Sequence, residues 1–359
     1  MKGIEIPIPQ GGTRLLGIPT VKDRLVQQAI LEILTLKYDK TFSDNSYGFR
    51  PKRKAHQALS KACQNVKDGY TIIVDIDLVK FFDEVNHHRL MWMLGTRIGD
   101  KRVLRLINSF LKAGIFLEGM ESQRIKGTPQ GSPLSPLLSN IVLDELDQEL
   151  QRRGHRFVRY ADDLQIFVKT KESALRVQES ITTFIETRMK LKVNHAKSAV
   201  RKCEECNFLG HSLLKGGKLG LGKKSEQRLK DKIREVTKRN RGESFESIIL
   251  KLQPILRGWL QYYKYAKMSK KFQAIESWLR RKLRCYRLKQ CKRVIGIVRF
   301  LTSLKVEKKL SWKTALSGKG WWRISKSPAL SIGMNNTWFK NHGLFGLTEN
   351  YKKLHSNPI

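Results

Sequence analysis

The chain has 359 residues, 40% of them hydrophobic, which is enough apolar material for about two to three packed domains and too much for a disordered tail. Its 70 Lys and Arg stand against 32 Asp and Glu, so a formal charge of +38 repels itself unless a polyanion neutralises it, and nucleic acid is the commonest such partner. No run of about twenty uncharged apolar residues occurs and the N-terminus lacks a signal-peptide core, so a membrane partner is excluded and a cytoplasmic protein is expected.

Residues 3–20 mix Gly and Pro with short apolar runs, which predicts an extended hairpin of two strands. Val21 to Tyr38 reads as a helix with Leu25, Ala29, Leu31 and Leu36 beside charged positions. Residues 46–59, SYGFRPKRKAHQAL, are a basic loop running into a helix. From Tyr70 to Asp77 the run YTIIVDID predicts a strand, whose alternation sets Asp75 and Asp77 on one face and Val74 and Ile76 on the other.

Helical patterns follow at 86–95 and 101–112, and then GTPQGSP feeds an amphipathic helix reaching about Arg153. The segment 156–168, RFVRYADDLQIFV, predicts two strands joined at Ala161, Asp162 and Asp163, with the acids at the hairpin tip. A helix near 172–189 and short strands through Gly220 complete an α+β module.

Cys203 and Cys206 form one CxxC near His211, but a zinc site needs a second pair, so the five cysteines are expected as reduced thiols. GKLGLGKKS at 217–225 approaches a phosphate-binding loop but has Lys224 where Ser or Thr is required, which excludes that motif. Basic helices then take over at 226–240, 246–265 and 272–293. Residues after 220 carry 34 basic and 8 acidic side chains, against 36 and 24 before, so the second part is the stronger polyanion binder. The stretch 311–359 is rich in Trp and Gly, mixed in pattern, and expected to form a small appended module.

Asp77 at a strand end and Asp162 and Asp163 at a hairpin tip carry the central chemical expectation. Three carboxylates brought together repel one another unless cations sit between them, and hard oxygen ligands without His select Mg²⁺ or Mn²⁺. Two such ions about 3.5–4 Å apart serve in-line phosphoryl displacement, the chemistry of polymerases. The competing reading is that Asp162 and Asp163 merely favour a turn.

The YADD box at 160–163 resembles that of reverse transcriptases. RLLGIPTVKDRLVQQAIL (14–31), SYGFRP (46–51), DIDLVKFFDEVNHH (75–88), GTPQGSPLSPLLSN (127–140), NHAKS (194–198) and FLG (208–210) are similar, in order, to the blocks of group II intron reverse transcriptases. RGWLQYY (257–263) and WLRRKLRCYRLKQCKR (278–293) resemble their maturase domain, domain X.

The resemblance implies an α+β right-hand polymerase followed by an all-helical thumb. Fingers would come from 1–70 and 91–126, palm from 71–90 and 127–220, thumb or domain X from 221–300, and a small module with a DNA-binding role from 301–359. It implies Asp77, Asp162 and Asp163 as catalytic metal ligands with the carbonyl of Leu78, Asp75 remaining the runner-up by its shared face. Nucleotide contacts would be Arg14, Phe82 against the sugar, Gln130 and Lys197. Implied partners are group II intron RNA, an RNA template, a DNA primer and deoxynucleoside triphosphates, with two Mg²⁺ ions.

On the basic helix, Leu279, Leu283 and Tyr286 share one face, and acids are almost absent from the rest. Arg280, Arg281, Arg284, Arg287, Lys289, Lys292 and Arg293 are therefore expected to reach RNA phosphates, and Arg257 to take an RNA-backbone or structural role. Trp259, Tyr262 and Tyr263 suit either base stacking or a helical core.

Family members usually carry a segment ahead of the first hairpin, with which this chain almost begins, and a Lys where Ile8 stands. No endonuclease pattern follows domain X, so DNA cleavage is not expected. The alternatives are a non-catalytic RNA-binding splicing factor keeping the palm as scaffold, and another bacterial retroelement reverse transcriptase.

Overall fold

The computed structural model describes residues 1–7, 12–117, 120–122, 124–240 and 242–356. The chain is α+β and divides into two compact units, one of residues 1–209 with 213–217 and the other of 210–212 with 218–359. No helix among the described residues is long and apolar enough to cross a membrane.

In the first unit, β1 (Lys2–Pro7) and β2 (Thr13–Ile18) form the expected antiparallel hairpin, with Lys2 opposite Ile18 and Pro7 opposite Thr13. Ile8 lies outside the described residues. Helix α1 (Val21–Tyr38) starts where Thr20 accepts a bond from the Asp23 N–H. It buries Gln27, Leu34 and Tyr38 while Val21, Leu25, Ile33 and Leu36 stay exposed. Next come α2 (Ala55–Lys67), β3 (Ile72–Ile76), the single turn α3 (Phe81–Glu84), α4 (His87–Gly95) and α5 (Lys101–Lys112). Two three-residue strands follow, β4 (Ile115–Leu117) and β5 (Met120–Ser122). They extend the hairpin into a four-stranded sheet of order β2-β1-β4-β5, with β4 parallel to β1. Strands this short carry no readable alternation, so the sequence predicts only the hairpin.

The second sheet has the order β6-β7-β3-β8, with β6 at Arg156–Tyr160, β7 at Asp163–Val168 and β8 at Ala199–Lys202. It is covered by α6 (Ser135–Arg152) and α7 (Lys171–Thr187). Helix α7 turns Ala174, Val177, Ile181 and Ile185 into the core at helical spacing, where Val74, Ile76, Leu164 and Ile166 meet them. Alternation along β3 leaves Asp75 on the opposite face.

One charged pair lies inside this packing. Arg159 of β6 is 1% exposed and donates Nε and Nη2 to the carboxylate of Asp147 on α6, itself 0% exposed, at 2.8 and 2.5 Å. The Arg159 Nη1 donates to Asn140 Oδ1 at 3.0 Å and to the Ala161 carbonyl at 2.8 Å. Asn140 Nδ2 passes the bond on to the Gly48 carbonyl at 2.9 Å. The Arg159 backbone also pairs with the 45–47 segment, donating to Asn45 O and accepting from Tyr47 N. Three elements far apart in sequence are thereby tied to one guanidinium.

After the short strands β9 (Asn207–Phe208), β10 (His211–Leu214) and β11 (Lys218–Leu221), the second unit is helical. Helices α8 (Lys223–Val236), α9 (Phe245–Tyr263) and α10 (Ser269–Gln290) lead into α11 (Val294–Ser303) and α12 (Lys308–Ala315). Short helices α13 (Trp321–Ile324), α14 (Pro328–Gly333), α15 (Asn336–Asn341) and α16 (Leu347–Ser356) end it. Helix α10 is its axis, burying Phe272, Ile275, Leu279, Leu283 and Tyr286 at spacings of three and four. The mixed pattern of 311–359 resolves into short helices, of which α13 and α16 pack on α10, so no compact-unit boundary falls at residue 300.

Removing Arg159 strands a buried carboxylate. Arg159→Met should therefore lower stability by about 3–5 kcal/mol in denaturant melts, and Arg159→Met with Asp147→Leu should recover most of the loss.

Candidate functional site

The antiparallel register between β3 and β7 pairs Ile76 with Leu164 at its last step. Asp77 thus directly follows β3 and Asp163 opens β7, so the two residues come to the same end of the sheet. Asp163 is itself paired with Tyr160 across the two-residue turn of Ala161 and Asp162. Asp77 is fixed from the other side by the 192–198 segment. Its N–H donates to Ser198 Oγ at 3.0 Å, its carbonyl accepts from Asn194 N at 2.8 Å, and Val79 N donates to Lys192 O at 2.9 Å.

The turn is held tightly. Ala161 sits in the left-handed region at φ 57°, and a Cβ added to Gly48 would lie 2.1 Å from Ala161 N. Only glycine lets the 46–50 loop approach the turn this closely, and the Asn140 and Arg159 bonds grip both partners of that approach.

The electrostatics record the crowding. Burial, and then the negative charges of Asp75, Asp162 and Asp77, push the Asp163 carboxyl up to about 7. Burial also raises Asp75, but Arg201 Nη1 lies 3.3 Å from its Oδ2 and opposes the rise. Among the described residues, no Lys or Arg ion-pairs with Asp77, Asp162 or Asp163.

Asp75 is thus answered within the protein, while the other three present hard oxygen donors and an unrelieved mutual repulsion. That donor set fits Mg²⁺ or Mn²⁺. No three His, Cys, Asp or Glu side chains among the described residues form a ready-made metal-holding group.

Around the acids, Phe81 is buried and Phe82 half-buried, their rings 5.4 Å apart and edge to face. Phe49 stands 6.5 Å from Phe82, also edge to face, half-exposed and at φ 58°. Sequence reading does not single out Phe49, since only the folded loop brings it beside Phe82.

The Phe82 carbonyl accepts from Thr128 N at 2.6 Å, which anchors the GTPQG loop. Within that loop Gln130 accepts at its carbonyl from Gly17 N at 2.9 Å and directs Nε2 toward Asp83 Oδ1 at 3.4 Å. Leu78 is buried and bridged to Val193, and Lys197 is exposed. Arg14 lies in β2 opposite Ile6, and its side chain is outside the described set.

Comparison with known proteins accords with this geometry. The family model for reverse transcriptase (RNA-dependent DNA polymerase) matches residues 6–213, and that for the group II intron, maturase-specific domain matches 226–299. The chain belongs to the group II intron-encoded reverse transcriptase/maturase family.

Protein YkfC of Escherichia coli is 32% identical over 59% of this chain and 66% of its own length. The group II intron-encoded protein LtrA of Lactococcus lactis subsp. cremoris is 30% identical over 56% of this chain and 44% of its own length. The chain therefore spans less than two thirds of these relatives. Telomerase from Candida albicans, solved with a telomeric RNA fragment, shares the fold with a TM-score of 0.52 at 14% identity, covering 100% of this chain and 64% of that one.

In this member of the family the basic helix α10 also works within its own unit. Arg281 donates Nη2 to the Trp322 carbonyl at 2.7 Å and lies 3.6 Å over its ring. Arg284 donates to the Met334 carbonyl at 2.7 Å, and Arg287 reaches Gln290 and covers the Phe300 ring at 4.6 Å. Arg280 lies 3.8 Å from Glu276. These four are engaged within the helical unit, three of them fastening segments after residue 299, which the local pattern cannot reveal. Lys289, Lys292 and Arg293 remain exposed, as does Arg257 beside the Phe345 ring. Tyr263 is buried against Trp259 and His211, and Trp259 also meets Phe272, so this aromatic group builds core.

The raised Asp163 carboxyl sets a pH dependence. Its folded-state value exceeds 3.8, so the stability it contributes is full below that pH and is lost as pH rises through about 7. In chelator, Asp163→Asn should raise stability over wild type by up to about 4 kcal/mol near pH 8 and by little near pH 4. A difference that stays flat between those pH values in denaturant melts contradicts the crowding.

Proposed function

We propose that this chain is an RNA-directed DNA polymerase that also binds the RNA of a group II intron and assists its splicing. The observation that carries the reading is the strand register, which sets Asp77 beside Asp163 and next to the exposed Asp162 at one sheet end. Residues 1–70 and 91–126 serve as fingers, 71–90 and 127–220 as palm, and 221–300 as thumb.

Asp77, Asp162 and Asp163, with the carbonyl of Leu78, would hold two Mg²⁺ ions. Bound there, the ions supply activation of a primer 3′ hydroxyl and neutralise charge on the leaving pyrophosphate. The remaining work falls to the chain's own groups.

Phe82, braced by Phe81 and Phe49, presents a ring to the sugar of the incoming nucleotide and disfavours a 2′ hydroxyl. Gln130, fixed through its backbone to Gly17, lies against the nascent base pair. Arg14 and Lys197 contact phosphates. In the helical unit, the exposed Arg257, Lys289, Lys292 and Arg293 contact intron RNA most directly. The relatives' family, and an RNA-bound structure among those sharing the fold, support RNA as the partner.

Primer extension on an RNA template tests the reading. Asp77→Asn and Asp162→Asn should each reduce extension by about 10³-fold or more while RNA affinity stays within about twofold. Extension that survives both changes removes the carboxylates from catalysis, and RNA binding without any wild-type extension leaves a splicing factor on a polymerase scaffold. Phe82→Val should narrow the preference for deoxynucleotides over ribonucleotides by at least about tenfold in the ratio of kcat/KM values.

A further inference from the structure

A cavity opens in the first unit, between α4, α5 and the segment after β5, with a volume of about 740 Å³. Its described lining includes Arg105 and Lys112 from α5, Arg124 from the connecting segment, and His87 and His88 from α4, with no Asp or Glu among them. Arg105 and Lys112 are seven residues apart and share a helix face.

Both are exposed, while Arg124 is partly buried and burial lowers its affinity for a proton, with Asp83 opposing. Like charges drawn together around a hollow, without a carboxylate in its lining, raise the energy of the empty site and favour an anion.

His87 supplies a second, independent observation. It is 3% exposed and its Nε2 lies 2.7 Å from the Gly127 carbonyl. A carbonyl only accepts, so Nε2 carries the proton and Nδ1 is left as a lone pair. That Nδ1 is buried and has no hydrogen-bond partner. Burial and the charges of Arg124, Lys112 and His88 keep the ring neutral. An unsatisfied buried acceptor costs about 1–3 kcal/mol, so a buried polar ring with an unmet acceptor forms part of the cavity wall.

We propose that this cavity is a phosphate-binding site, distinct from the carboxylate cluster, in which Arg105, Lys112 and Arg124 grip a phosphate group beside His87. The phosphate comes either from the backbone of a bound primer–template strand or from a free phosphorylated molecule. The first source rests on the polymerase reading and the second does not. Guanidinium forks and a flexible ammonium suit phosphate oxygens in either case.

The test uses the full chain and an RNA template annealed to a DNA primer, with affinity read by fluorescence anisotropy across a salt series. Arg105→Ala with Lys112→Ala removes two exposed charges from the cavity. Lys101→Ala with Arg102→Ala removes two from the same helix outside it.

The cavity variant should bind the duplex about tenfold more weakly near 0.15 M salt, with a log–log salt slope shallower by between about 1 and 2, and the control should stay within about twofold. That outcome assigns the phosphate to a strand. In a parallel arm, inorganic phosphate should raise the melting temperature of the wild type. If the cavity variant loses this rise with duplex binding intact, the phosphate is a free one.

Equal behaviour of the two double variants in both arms overturns the site. Wild-type primer extension is read on the same samples. Its absence defeats the polymerase reading alone, because both binding arms are read without catalysis.

Discussion

The guanidinium of Arg159, buried against Asp147, is the interaction on which the arrangement of the acids depends. A charge this deep is tolerated only when its donors are met, and here Asp147, Asn140 and the Ala161 carbonyl take Nε and both terminal nitrogens. Two of these acceptors stand two turns apart on α6 and the third is at the tip of the β6–β7 hairpin. Asn140 extends the grip to Gly48, and the backbone of β6 adds Asn45 and Tyr47. The tip that carries Asp162 and Asp163 is therefore positioned by α6 and by the loop that brings Phe49 to Phe82. Apolar packing of α6 and α7 supplies the bulk of the burial, while this polar network fixes where the turn points.

Much of this was legible in the sequence where the information is local. The alternation of YTIIVDID separates Val74 and Ile76 from Asp75, and the helix over Val21–Tyr38 and the hairpin at 156–168 follow from periodicity alone. Alternation cannot choose between Asp75 and Asp77, because both face the same way. The fold separates them through Arg201, which β8 brings to Asp75 and which lies more than a hundred residues away in sequence. Short β4 and β5 escape notice because three residues carry no period. Arg159 reads as one more cation in a basic chain, and its partner Asp147 as one more acid on an amphipathic helix. Only their burial distinguishes them.

The same lesson applies to the helical unit. A run of arginines with few acids looks like a phosphate-binding face, yet α10 uses Arg281 and Arg284 to hold the carbonyls of Trp322 and Met334. Cations bonded to uncharged backbone keep their positive field, so the unit remains strongly basic although these head groups are committed. What distinguishes a reaching cation from a fastening one is the segment after residue 299, whose placement no local pattern encodes. Of the basic residues that the sequence marks for RNA, Arg257 on α9, Lys289 on α10, and Lys292 and Arg293 just after it are exposed.

The 2.1 Å gap at Gly48 also bears on how this sequence can change over time. No rotamer relieves a clash between a first side-chain carbon and main-chain atoms, so the position tolerates neither drift nor gradual exploration. Ala161, by contrast, already carries a methyl in the left-handed region, and glycine or asparagine satisfies that backbone more easily. A randomised library spanning both positions would thus be asymmetric, frozen on the loop side and permissive on the hairpin side, though the two backbones touch.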